Sequence, residues 1–473
     1  SIYPELATNQ AIIVSLLTNE IEQFSQNLVR GQGILQTYFE EQKSTKKITG
    51  QQAFKLYDTY GFPLEVTVLA AQEQGYSVDQ VGFETYMQEQ RALSGKKTKD
   101  TNATLSIPEG ITTTFIGYHA TANNSTILAL IDTNNTSAST VETGTACWIV
   151  PQETPFFVTT GGQVDDQGWV MVNEEKMAVQ ALQKINGAIA LKIVTAMPLK
   201  VGDTIAQRVD EPLRKMTMNN HTATHLLQAA LIEMLGKQVK QSGSVVHPDY
   251  LRFDFTYHKN LTPDEIVHIE NRVNQIIQEN INVEIFETTY KNALDKGVIA
   301  IFGEKYNPEK VRVVDVPGFS AELCGGTHVR ATGCIGAFKI TEMGALSAGN
   351  RRVFAVTGRK AIELMQENFN AIKMLSQEFK VKPQDVAQTV TKQIEQVQQL
   401  QAALKATRQQ LLSHQAQQWK QEITTINNMP FLYKQLEDVT GDELRKLAEQ
   451  LQTLTPGFYM LVSNSVTQSN CSF

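Results

Sequence analysis

The stretch His221-Thr-Ala-Thr-His225, running directly into Leu226-Leu227, carries the decisive signal in this chain. On a helix, side chains four residues apart share a face, so both imidazoles can reach one ion. A second stretch, Cys324-Gly-Gly-Thr-His328, lies much further along. Its two glycines let the backbone turn tightly, so a thiolate and an imidazole can converge on one point. Together the two stretches offer three nitrogens and one sulfur, a set that suits Zn²⁺ at roughly 2.0–2.3 Å. A histidine pair alone reads more readily as a packed pair. Two such motifs in one α+β region shift the reading to a metal site. A metalloprotease is excluded, because Thr222 stands where the HExxH pattern requires a glutamate base.

The elements around these motifs set the fold class: a multidomain α+β protein. Residues 221–235 read as a helix and 251–255 as a strand. A long helix opens at Thr262-Pro263-Asp264-Glu265, with Thr262 at the N-cap and Glu265 completing a capping box. With strands at 283–287, 311–316 and 336–340, residues 206–375 form an α+β domain. Upstream, residues 100–205 are rich in Thr, Val and Ile. Short runs at 125–131, 146–150, 169–172 and 188–193 alternate with Gly, Asn and Asp turns, which predicts a small β-barrel or sandwich. Thr160-Gly-Gly-Gln163-Val-Asp165 reads as a Gly-rich loop between barrel strands. Residues 1–98 read as helical, with Ile12, Leu16, Leu17, Ile21 and Phe24 in one apolar stripe and a break at Gly61-Phe62-Pro63. The polar segment 94–102 reads as a linker. Residues 384–424 predict a Gln-rich amphipathic helix or short coiled coil. Residues 425–473 read as an incomplete C-terminal domain without a full core of its own.

The chain has 473 residues, 41% apolar and 19% charged, room for about three domains. A net charge of −7 excludes a globally basic nucleic-acid coat protein but not local basic patches. No apolar run approaches the ~18 residues a membrane span needs. Four cysteines, Cys147, Cys324, Cys334 and Cys471, are too few for a disulfide framework, which points to a reducing, cytoplasmic location. Residues 1–10 lack the features of a secretory leader. The chain starts at Ser1 rather than Met, so it reads as a piece of something longer.

Several stretches carry a family resemblance. They are AFKLYDTYGFPLEV at 53–66, the Gly-rich loop at 161–168, HTATHLL at 221–227 and LRFDF at 251–255. AIFGEKY at 300–306, VRVV at 311–314, FSAELCGGTH at 319–328 and TGCIGAFKI at 332–340 continue it. Along nearly its whole length the chain resembles the alanyl-tRNA synthetase family. HTATHLL with ELCGGTH is specific for that family's editing domain and its free-standing relatives, whereas LYDTYGFP belongs to the helical tRNA-recognition region that the free-standing editors lack.

The resemblance implies that 1–98 is the end of the helical tRNA-recognition domain, 100–205 the β-barrel and 206–375 the editing domain. The helix at 384–424 and residues 425–473 would then begin the C-terminal domain that grips tRNA and promotes dimerisation. The class II aminoacylation domain, with its ATP and Mg²⁺, would lie upstream of Ser1. The implied retained activity is hydrolysis of Ser- or Gly-tRNA(Ala), with tRNA(Ala) as partner and neither DNA nor a membrane. Such editing has a physical reason, since a pocket built for alanine cannot strongly reject close analogues when a methylene is worth only ~1–3 kcal/mol. His221, His225, Cys324 and His328 would hold the zinc. Cys324 and Gln241 are the implied catalytic residues, although Gln241 also reads as a loop residue before a strand. Asp58 is implied at the acceptor stem, or else is a buried capping carboxylate. Arg351 and Arg352 read equally as phosphate contacts or as a solvated basic face. Two other functions stay open: a free-standing trans-editing deacylase, and a non-catalytic tRNA-binding module with a structural zinc.

Overall fold

The computed structural model describes residues 6, 10–94, 105–300, 306–347, 349–464 and 469–472. The segment read as a linker, beyond Ser94, and residues 301–305 of the AIFGEKY stretch lie outside the described residues. The chain divides into two compact units, residues 1–364 and 365–473.

Among the described residues, the first unit begins with the helices α1 (Gln10–Glu41), α2 (Gly50–Tyr60), α3 (Leu64–Glu73) and α4 (Gln80–Ser94). Thr49 caps α2 in a full capping box, and Gly61 ends it in the left-handed conformation, φ 63°. Leu35, Phe39, Leu56, Phe62 and Phe83 bury a common core. Of the predicted apolar stripe on α1, Leu17, Ile21 and Phe24 are exposed, at 58%, 64% and 44%. Among the described side chains of α1, those that pack on that core run from Leu28 to Phe39, so these three stripe residues do not form the buried face that the periodicity suggests; the side chains of Ile12 and Leu16 lie outside the description.

Seven main strands follow: β1 (Ala122–Ile131), β2 (Ala146–Pro151), β3 (Gly168–Val172), β4 (Glu175–Ala178), β5 (Ala181–Ile185), β6 (Ala188–Val194) and β7 (Thr204–Val209). They form one antiparallel sheet in the order β4-β3-β7-β1-β2-β6-β5. The two edge strands, β4 and β5, are separated by two residues of chain. The sheet must therefore curl until its edges nearly meet. Ile149, Val170, Leu191 and Ile205 fill its interior.

The rest of the unit is built around one helix, α5 (Glu211–Leu235). It begins ten residues before His221. Asp210 caps it by accepting from the Leu213 amide, and Pro212 sits in its first turn. Every residue from Asn220 to Leu231 is buried, so this helix is enclosed on all sides. Helix α6 (Pro263–Glu279) packs beside it, opened by the Thr262–Glu265 capping box. On the other side lies the antiparallel sheet β8 (Gln241–Val246), β9 (Leu251–Thr256), β14 (Asn350–Thr357) and β13 (Phe338–Ser347), in that order. A three-stranded meander, β10 (Glu284–Thr288), β11 (Val311–Val316) and β12 (Ser320–Leu323), leads into the Cys324 loop.

The second unit contains most of helix α7 (Gly358–Phe379), then α8 (Val386–Trp419), strand β15 (Met429–Glu437), α9 (Gly441–Leu454) and strand β16 (Phe458–Asn464). Strands β15 and β16 are parallel, as a strand–helix–strand crossover requires. Residues 425–473 share their core with the helix that precedes them. Leu432, Leu444, Leu447, Leu451 and Leu461 form a core, closed by Leu412 and Ala416 from the end of α8. Among the described residues, no helix is long and apolar enough to cross a membrane.

Candidate metal centre

The enclosed helix α5 presents His221 and His225 one turn apart, and the loop after β12 presents Cys324 and His328. The four candidate ligand atoms lie within 4.8 Å of one another. Cys324 Sγ is 3.3 Å from Nε2 of His221 and 3.3 Å from Nε2 of His328. Donors around a tetrahedral zinc stand about 3.3–3.8 Å apart, so the two Cys324–histidine pairs already have that spacing and the widest pair would close by up to about 1 Å. All three histidines are buried and Cys324 is half-buried.

Electrostatics favour ligation by neutral rings. Burial, followed by the neighbouring charge of His225 and Arg312, holds His221 well below the usual histidine range. Burial and Arg312 push His225 down to about 4. His328 is held low by burial and by the other two rings and Arg312. Neutral imidazoles with a thiolate, formed as the cysteine gives up its proton on binding, are the ligand set a divalent zinc selects.

Two of the three outer ring nitrogens are held from outside the cluster. Nδ1 of His221 is 2.8 Å from Oε1 of Gln163, and Nδ1 of His328 is 3.1 Å from Oγ1 of Thr222. Nδ1 of His225 is buried with no hydrogen-bond partner, and Glu322 Oε2 lies 3.4 Å away out of alignment. Burial pushes the Glu322 carboxyl up to about 8. A carboxyl group behind a ligating histidine is a recurrent support of zinc sites, and Glu322 stands in that place behind His225 without a hydrogen bond to it in this structure. The residues therefore fit a zinc ion, which His221, His225, Cys324 and His328 would hold.

The Cys324 loop is clamped by its carbonyls. Arg312 donates to the carbonyls of Cys324 and Gly326 at 2.7 and 2.9 Å. Tyr118, from the turn just before β1, donates to the Gly325 carbonyl at 2.6 Å, with the Arg312 guanidinium 4.1 Å from its ring centre. Beside this clamp opens a cleft of about 300 Å³ whose walls include Tyr118, His119, Phe286, Arg312, Thr327 and His328.

Comparison with known proteins places this geometry. The family model described as tRNA synthetases class II (A) matches residues 1–213. The model for the threonyl and alanyl tRNA synthetase second additional domain matches residues 311–354, which include the Cys324 loop. The alanine–tRNA ligase of Synechococcus sp. (strain JA-3-3Ab) is 38% identical over 460 residues, 95% of this chain and 52% of the relative. That of Fervidobacterium nodosum is 35% identical over 469 residues, 98% of this chain and 53% of the relative. The chain belongs to the alanyl-tRNA synthetase family. It spans about half the length of the relatives it matches. As a member of that family it carries, at residues 311–354, the additional domain shared by threonyl and alanyl synthetases.

Other sequence-derived site residues fall elsewhere in this family member. Gln241 is the half-buried first residue of β8 and is not among the described residues lining the cleft. Asp58 is exposed near the end of α2 and accepts from Gln90 Nε2, so the buried-cap alternative is corrected. Arg351 is 7% exposed and donates to the carbonyls of Lys259, His258 and Asn350 at 2.8, 2.8 and 2.9 Å. Arg352 is bidentate to Asp254 at 2.7 and 2.8 Å. Both guanidinium groups are thus committed to protein acceptors, and the solvated basic face is corrected for Arg351.

Gln163 is the residue that the sequence reading missed. It is fully buried, and its loop runs alongside β8, with Val246 donating to the Gly162 carbonyl at 2.7 Å and Val164 to the Val246 carbonyl at 3.1 Å. A Cβ at Gly162 (φ 84°) would sit 2.8 Å from the Ser244 carbonyl oxygen, so this approach needs glycine.

Proposed function

We propose that this chain binds tRNA(Ala) and hydrolyses the ester of Ser- or Gly-tRNA(Ala), with Zn²⁺ held by His221, His225, Cys324 and His328. The observation that carries the reading is the cleft beside the four-donor set, with His328 and Thr327 in its wall and a guanidinium facing in. In the reaction water adds to the ester carbonyl carbon, the bond to the ribose oxygen breaks, and the ribose hydroxyl and free amino acid leave. Bound zinc supplies a Lewis acid at the cleft wall. Arg312 contributes fixed positive charge beside the anionic 3′ end and holds the Cys324 loop. Tyr118 and Phe286 offer aromatic faces for a base. For the longer protein the proposal adds alanine–tRNA ligation with ATP and Mg²⁺, a cytoplasmic location, tRNA contact through Asp58, and pairing of two copies through the C-terminal region.

One observation favours a second reading. Four protein ligands form a closed set, as in structural zinc sites. The test is deacylation of Ser-tRNA(Ala) by wild-type protein and Cys324→Ala, with folding and zinc content measured together. The proposal expects wild type to deacylate and Cys324→Ala to fall by at least ~100-fold. Wild-type protein that holds zinc and tRNA yet deacylates nothing would establish the structural reading instead.

A further inference from the structure

We propose that Gln163, reaching in from the barrel, is a positioning residue that selects the zinc-binding tautomer of His221. The inference rests on the four-ligand reading above but not on the hydrolysis. A neutral imidazole has one N–H and one lone pair, and only the ring with its lone pair on Nε2 can ligate an ion shared with Cys324.

The amide orientation of Gln163 is fixed by a donor that cannot change role. The Thr327 backbone N–H donates to Oε1 at 2.9 Å, so that atom is the acceptor. Nε2 of the same amide donates to Thr327 Oγ1 at 3.0 Å. Turning the amide over would set its NH₂ against the Thr327 N–H. With Oε1 so placed, 2.8 Å from His221 Nδ1, that nitrogen must carry the proton, and Nε2 is left to face Cys324 at 3.3 Å. Burial on both sides excludes water as a substitute partner, since Gln163 is 0% and His221 3% exposed. The barrel is therefore part of the metal centre: its Gly-Gly turn carries into the neighbouring fold the one acceptor that His221 requires.

The test uses the whole 473-residue chain. Zinc affinity is measured by competition with a chelating dye, and the visible spectrum of the cobalt-loaded protein is recorded alongside thermal unfolding. Gln163→Met keeps the length and removes the acceptor, and its zinc affinity is expected to fall about 10–100-fold with altered cobalt bands. Gln163→Glu restores an acceptor at the same place and is expected to recover most of the affinity and the wild-type spectrum. A folded Gln163→Met protein that binds zinc like wild type, with unchanged cobalt bands, would overturn the proposal. Should Gln163→Met not fold, nitrogen NMR of histidine-labelled, metal-free wild type decides: a proton on His221 Nδ1 supports the proposal and one on Nε2 refutes it. A wild-type chain that takes up no zinc removes the four-ligand reading itself, an outcome distinct from the loss of Gln163's role alone.

Discussion

Gly326→Ala is expected to abolish high-affinity zinc binding, while Gly325→Ala, one residue away, leaves it intact. A Cβ on Gly326 would overlap Cε1 and Nδ1 of His221 and stand 2.9 Å from Oε1 of Gln163. Neither neighbour can retreat. His221 is on a helix buried on every side, and the Gln163 amide is held by Thr327. The methyl group must therefore push the Cys324 loop outward, against carbonyl clamps from Arg312 and Tyr118, and separate Cys324 and His328 from the helical pair. Displacement by about 1 Å is enough to spoil a tetrahedral site, so a loss of at least ~100-fold in zinc affinity is expected, with roughly 1–3 kcal/mol of stability lost to overpacking. At Gly325 an added Cβ meets nothing within 4 Å. Equal zinc affinity in the two variants, measured by chelator competition, would show that the tight approach at Gly326 does not matter.

The second large effect concerns the ion pair that anchors the Gln163 loop. Arg214 is 2% exposed, donates from Nε to Asp166 Oδ1 at 2.8 Å and meets Oδ2 through Nη2. Two of its other protons reach the carbonyls of Gly117 and Pro155, each at 2.7 Å, while Asp166 also accepts from the Phe157 amide. One side chain of α5 thereby ties down both barrel segments that serve the metal centre: Gly117 precedes Tyr118, and Asp166 follows Gln163. Arg214→Met strands a buried carboxylate, and about 3–5 kcal/mol of stability should be lost in denaturant unfolding. Adding Asp166→Leu removes the stranded charge, so the double variant should be more stable than the sum of the single losses. Strict additivity would mean that the two groups do not act as a pair.

Local spacing made the metal cluster legible. His221 and His225 are one helical turn apart and Cys324 and His328 share one tight loop, so each half is written in a few consecutive residues. Gln163 was not legible, because its partners His221 and Thr327 lie 58 and 164 positions away and a Gly-Gly-Gln turn looks like any barrel loop. Helix α5 starts ten residues ahead of the predicted 221–235 span, at Asp210-Glu-Pro212, which is an N-terminal signal in itself. The solvated-face alternative for Arg351 conflicts with the two-residue alternation of its strand. On β14, Arg351, Val353, Ala355 and Thr357 share the buried face, and that alternation places Arg351 inside. The apolar stripe of α1 shows the opposite failure, since periodicity marks a face suited to packing but not whether a partner covers it.

The account stands on four side chains gathering one ion, and metal analysis of the purified chain addresses that directly. Protein prepared without added metal should carry about a single zinc ion per chain, and His225→Ala and Cys324→Ala should each emerge folded and depleted. Wild-type protein that is folded but free of zinc, and that fails to take it up on titration, would contradict the account.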